Sequence, residues 1–193
     1  MNVSFQSKIR LLSNKDFKQA TRNFDQKYFI DYPWGLRNSV YGEKAYTTNI
    51  LDCTVCGIND GKKFLMLHIS PDSNDGYNFA SIENFITKHI NLKKPNIKGF
   101  LIGSKMGFDV FERSERLFDR FKNFMQENKI PYSELRGGIG AKDVAYDVKT
   151  DELLIGTELI EKEKISSKAV SVEDFAKRAF QQISISEDDK ISW

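Results

Sequence analysis

The chain is poor in the side chains that mark metal or disulfide proteins. It has two cysteines, Cys53 and Cys56, and two histidines, His68 and His89. A disulfide framework needs more cysteines at wider spacing. The pair does spell C-x-x-C, Cys53-Thr54-Val55-Cys56. Zinc there would need two further ligands, and only the two histidines are left to supply imidazole. A thioredoxin-type redox pair should open a helix, whereas this stretch reads as strand. Both stand as minor alternatives. An excess of one charge is lacking as well. Lys and Arg number 29 against 27 Asp and Glu, a formal net charge of +2. Such a balance gives no electrostatic reason to expect nucleic acid or a membrane surface as partner. No window approaches the apolar length of a membrane span. Met1 to Leu12 lacks the apolar core of a secretory signal, so the expectation is a protein made in a cytosol. There is no internal repeat and no cofactor motif, and neither a metal nor a cofactor is expected.

What is present suits one compact domain over the 193 residues. Hydrophobic residues make up 40% and charged residues 29%, enough for a real core and too apolar for wholesale disorder. Ser13-Asn14-Lys15-Asp16 reads as a capping box, with Phe17, Ala20, Thr21 and Phe24 following at helical spacing. Asp31 to Gly35 is turn-rich. From Ala45 to Ile69 two β-like runs flank Asn59-Asp60-Gly61-Lys62, and Asp-Gly between apolar runs predicts a hairpin. Ser70 to Tyr77 reads as loop. Ile82, Phe85, Ile86, His89 and Ile90 mark a helix, and Ile97 to Gly103 a short buried strand. A strong amphipathic helix covers about Glu112 to Asn128. Val144 to Val148 and Leu153 to Gly156 form a second hairpin. A last helix carries Val172, Phe175, Ala176, Ala179, Phe180 and Ile183, before a polar, acidic tail. Hairpins alternating with helices predict an α/β domain, a compact sandwich of mixed or antiparallel sheet with flanking helices.

The functional argument rests on register. If Asp60-Gly61 is a two-residue turn, Asn59 faces Lys62, and Cys53 lies directly across from His68 on the same face. A longer loop around Gly61 would shift that pairing. The thiolate is the nucleophilic form of cysteine, and a free thiol is mostly protonated at neutral pH. A neighbouring imidazole can take and hold the proton, then return it to a leaving amine. A third group usually orients such a histidine. Thr47 lies six residues before Cys53 and in an unbroken strand would share its face. Thr48 is the competitor if a bend intervenes. Cys56 falls on the opposite face and reads as core, and His89 reads as structural. A buried cysteine and a satisfied core histidine are the plain alternative to a catalytic pair.

The pattern Thr47 … Ile50-Leu51-Asp52-Cys53 … His68, followed by Pro71, resembles the CheD chemoreceptor glutamine deamidases. It also resembles the catalytic domains of cytotoxic necrotizing factor toxins and Burkholderia lethal factor. The likeness to CheD continues through the strand Ile97 to Gly103, the helix after it, Arg136-Gly137-Gly138 to Asp147, and Thr150 to Ile155. It covers about residues 45–156 of a single deamidase-like domain spanning 1–193, with helical extensions at both ends. Two departures stand out. Members usually carry Gly and Ser before the nucleophile, where this chain has Leu51-Asp52, and CheD proteins tend to carry Arg where Lys142 stands.

The resemblance implies a cysteine-dependent protein-glutamine deamidase, a hydrolase that passes through a thioester intermediate. Its implied catalytic residues are Cys53, His68 and Thr47, and its partner a protein substrate carrying a reactive glutamine. The extra helices favour a bacterial toxin or effector, made in the bacterial cytoplasm and translocated into a host cell, over a chemoreceptor enzyme. A cysteine protease, or a non-catalytic binding module on the same fold, are the alternatives from other classes. Gly137-Gly138 is expected to serve as a turn.

Overall fold

The computed structural model describes residues 8–30, 38–71, 79–103, 108–135 and 142–157. The expected last helix and acidic tail, the Gly137-Gly138 turn, and the connections 31–37 and 72–78 lie outside them.

Among the described residues, ten strands form two five-stranded mixed sheets. The first has the order β1 (Lys8–Leu12), β10 (Glu152–Thr157), β9 (Lys142–Asp147), β4 (Lys44–Ile50) and β2 (Phe29–Ile30). The second runs β3 (Asn38–Gly42), β6 (Phe64–Ile69), β5 (Thr54–Asn59), β7 (Lys98–Gly103) and β8 (Tyr132–Leu135). Pairing is antiparallel except β1 with β10, β2 with β4 and β7 with β8. The fold is an α/β sandwich, as the alternation of hairpins and helices implies.

Three apolar clusters define its layers. Ala45, Ile50, Val144 and Tyr146 of the first sheet meet Val55, Phe64, Met66 and Phe100 of the second. The rings of Phe64 and Tyr146 sit 4.4 Å apart at the centre of that interface. Gly57 on β5 makes room for the third ring, because a Cβ there would come within 2.3 Å of Phe100. The outer face of the second sheet is covered by α2 (Phe79–His89) and α3 (Phe108–Glu127), through Ile82, Ile86, Phe118 and Phe121. The outer face of the first sheet is covered by α1 (Asn14–Thr21), whose Phe17 packs with Leu12, Ala145 and Leu154. Ser13 caps that helix by accepting from Asp16 N at 3.1 Å, the role its sequence suggests.

The first hairpin departs from the two-residue turn expected at Asp60-Gly61. Asn59 pairs with Phe64, leaving Asp60, Gly61, Lys62 and Lys63 in the turn. Asp60 organises it: its Oδ1 accepts from Lys62 N and Lys63 N, each at 2.9 Å, and its own N–H donates to Lys63 O at 3.1 Å. Gly61 takes the positive φ of 86°. An Asp side chain that satisfies two backbone donors stabilises this wider turn over the two-residue form. The register moves by two, so His68 pairs with Val55 and not with Cys53. A shift of two preserves every side chain's face.

The run from Ala45 to Asn59 also divides. β4 ends at Ile50 in one sheet and β5 starts at Thr54 in the other. No Gly or Pro marks the break. A bulge between Thr47 and Ile50 begins it. Asn49 adopts φ 58° there, and its N–H donates to Asp143 Oδ1 at 3.0 Å. Asn tolerates the left-handed region better than most residues, and the carboxylate satisfies the donor that the bulge withdraws from the ladder.

Candidate active site

Thr47 is the residue on which the site is built. It faces inward from β4, fully buried, and its hydroxyl has two neighbours. It donates to Ile30 O at 3.0 Å and lies 2.7 Å from His68 Nδ1. A carbonyl only accepts, and a hydroxyl has one proton. That proton goes to Ile30, so Thr47 Oγ1 accepts from His68 Nδ1–H. The neutral imidazole is thereby held with its proton on Nδ1 and its basic lone pair on Nε2. Ile30 is Thr47's parallel partner on β2, so this short edge strand supplies the last acceptor of the chain.

Thr47 thus meets His68 for a reason other than the one expected. It does not share a strand with Cys53. It reaches the histidine across the gap between the two sheets. Thr48, beside the bulge, does not take this place.

Cys53 ends the connection from β4 to β5. It belongs to the inter-sheet cluster with Val55, whose ladder partner is His68. Cys53, one residue before the ladder begins, and His68 therefore both belong to the inner face. Direct apposition of the two, the expected arrangement, is not formed. Cys53 is 3% exposed. Its Sγ–H points to Asp52 Oδ1 at 3.4 Å. On the other side of that residue, Ser114 Oγ of α3 donates to Asp52 O. This bond fixes the Asp52–Cys53 peptide plane, and in a trans peptide the Cys53 N–H points opposite to that carbonyl.

Burial sets the electrostatics. His68, wholly buried, has its pKa lowered to about 4 by desolvation, so it is neutral at pH 7. An imidazole that holds the thiol proton at rest, as the sequence suggests, is thus disfavoured. Lys142, 1% exposed, is lowered to about 8 by the same cause.

Cys56 faces the helices in the second cluster, and burial pushes its thiol far up. The two thiols lie on opposite sides of the sheet, so Cys53-Thr54-Val55-Cys56 does not converge on one metal ion or close as a disulfide. Both are free. His89 packs its ring against Phe85 and Tyr41, at 4.5 and 5.2 Å, a structural placement. An open hollow lined by Asp60, Lys88, Asn91 and Lys129 lies at the hairpin end of the sheets, away from His68. Among the described residues, no helix is long and apolar enough to cross a membrane.

Two features of the site escape sequence reasoning, Ile30 O and Ser114. Each contributes through a contact distant in the chain and carries no motif. Compared with protein-family models and with curated proteins, the chain matches none.

Proposed function

We propose that Cys53, His68 and Thr47 form the site of a cysteine-dependent protein-glutamine deamidase. The observation that carries the reading is the directed chain from His68 Nδ1–H to Thr47 Oγ1–H to Ile30 O. It makes Nε2 the basic nitrogen of a ring on the face that Cys53 also lines. A packing histidine would also be hydrogen-bonded when buried; what favours the catalytic reading is that this oriented ring lies on the face that Cys53 also lines.

In the proposed reaction Nε2 takes the thiol proton as Sγ attacks the side-chain carboxamide of a glutamine. The carbonyl π pair moves to oxygen, and the Cys53 N–H donates to that oxyanion. Collapse breaks the C–N bond, and ammonia leaves with the proton from His68. Water, deprotonated by the now neutral imidazole, cleaves the thioester. Glutamate is formed and the thiol restored. Because burial opposes imidazolium, proton transfer accompanies attack and no thiolate–imidazolium pair precedes it. The reading carries with it a protein partner and, through the family resemblance, a toxin or effector setting.

The test is ammonia release from a glutamine-rich unfolded protein such as β-casein, with mass spectrometry locating each Gln-to-Glu conversion. Wild type is expected to convert glutamine while Cys53→Ser and His68→Ala do not. Conversion that persists in either variant sinks the reading. A binding module on the same fold is the second reading, favoured by the thiol's contact with Asp52 Oδ1. It predicts no conversion by any form of the chain.

A further inference from the structure

With His68 neutral, positive charge to stabilise an anion at Cys53 has to come from another side chain. β9 begins at Lys142, which pairs with Ile50 on one side and Thr157 on the other. Alternation with the inward Val144 and Tyr146 puts Lys142 on the inner face. Val144 is the partner of Thr47. Lys142 therefore lies one step further along that face, at the end of the sandwich where β4 passes to β5 through Cys53.

A lysine this enclosed is unusual. Folding stability does not explain it, since an apolar side chain of similar size at such a position is often neutral or better. A lysine enclosed on the inner face that also carries a thiol and an imidazole is a candidate for function. By register, the titratable groups nearest in the fold are Asp143 on its own strand and Asp52 and Cys53 on the connection that follows its partner Ile50, with His68 on the inner face of the facing sheet. Asp143 is engaged by Asn49 N. Though lowered, Lys142 remains mostly protonated at neutral pH.

We propose that Lys142 is the cation of the Cys53 site, its ammonium stabilising the negative charge that appears on Sγ when the thiol proton leaves. The inference rests on the reading of Cys53 as nucleophile, and not on which amide it attacks.

The test is the rate of Cys53 carboxamidomethylation by iodoacetamide against pH, read by peptide mass spectrometry on the full chain, with thermal unfolding of each variant as control. In wild type the midpoint of the rate profile is expected below the free-thiol value of about 8.5. Lys142→Met should raise it by at least about one pH unit, an about tenfold lower thiolate fraction at neutral pH. Lys142→Arg should keep it low, and His68→Gln should leave it in place. A merely structural lysine would change the melting temperature and leave the midpoint alone. If Lys142→Met fails to fold, Lys142→Gln carries the same comparison. A midpoint unchanged on losing the charge overturns the proposal, even if ammonia release persists. A Lys142-dependent midpoint without ammonia release supports the proposal and sinks only the deamidase reading.

Discussion

Thr47 Oγ1 stands 2.7 Å from His68 Nδ1, joining one sheet to the other through a single proton. The hydroxyl is both acceptor from the ring and donor to Ile30 O, so removing it strands two buried groups. Thr47→Val is expected to cost about 1–3 kcal/mol, the usual penalty for unsatisfied buried polar groups, and to lower turnover by releasing the tautomer. Thr47→Ser keeps the oxygen and should restore most of both. Imidazole 15N chemical shifts decide the point: wild type should show a protonated Nδ1 and an unprotonated Nε2, and Thr47→Val a mixture.

Acid should weaken the fold through His68. Its folded pKa of about 4 lies below the value of 6.5 for an ordinary histidine. Between these limits the unfolded chain binds a proton that the folded chain refuses, so stability falls as pH drops through 6.5 and levels off near 4. The shift is worth about 2 kcal/mol between pH 7.5 and pH 5. Urea unfolding at the two pH values, in wild type and His68→Gln, isolates the contribution. The variant should lose about 2 kcal/mol less; an equal loss in both would show that His68 titrates normally.

Much of this site was legible because strand faces survive errors of register. Cys53 and His68 fall on one face whether the turn has two residues or four, since the slip is an even number. Their direct apposition did not survive, because a carboxylate accepting two backbone donors outweighs the Asp-Gly signal. Thr47 was reached by counting along a strand that in fact breaks at Ile50. Thr47 still faces inward, as counting from Cys53 implies, and the packing of two sheets brings the threonine to the histidine. Strands β1, β2, β3 and β8 leave no comparable pattern in the sequence. They are short edge or flanking strands, and β1 and β8 gain their parallel partners only from distant chain. Ile30 O and Ser114 were beyond reach for the same reason, since backbone carbonyls and tertiary hydroxyl contacts leave no periodicity to read.

The wider turn makes its own prediction. Gly61 holds φ 86°, and the nearest atom to a Cβ there is 3.5 Å away. Space is therefore adequate and the backbone is the obstacle. Gly61→Ala should destabilise by about 1 kcal/mol from left-handed strain. Asp60→Ala, which strands the N–H groups of Lys62 and Lys63, should cost a similar amount. Both lie at the far end of the sheets from Cys53. Chemical denaturation should register the loss while the pH midpoint of Cys53 alkylation stays fixed. A moved midpoint would mean that the hairpin end is coupled to the site.

Asp52 is the strongest chemical objection to a nucleophilic Cys53, and it can be tested directly. Its Oδ1 receives the thiol proton at 3.4 Å, which stabilises the protonated form, and its negative charge opposes a thiolate beside it. The backbone of the same residue is anchored by Ser114, so the side chain can be neutralised without releasing the peptide plane. Asp52→Asn should therefore lower the midpoint of Cys53 alkylation and raise the rate near pH 7 several-fold. Ser114→Ala should leave the midpoint in place but, on the proposed mechanism, reduce turnover, because it frees the Asp52–Cys53 peptide whose N–H is proposed to meet the oxyanion. If Asp52→Asn instead leaves Cys53 less reactive, the carboxylate is acting as a proton acceptor for the thiol. The base of the site would then be Asp52, with His68 reduced to a partner of Thr47.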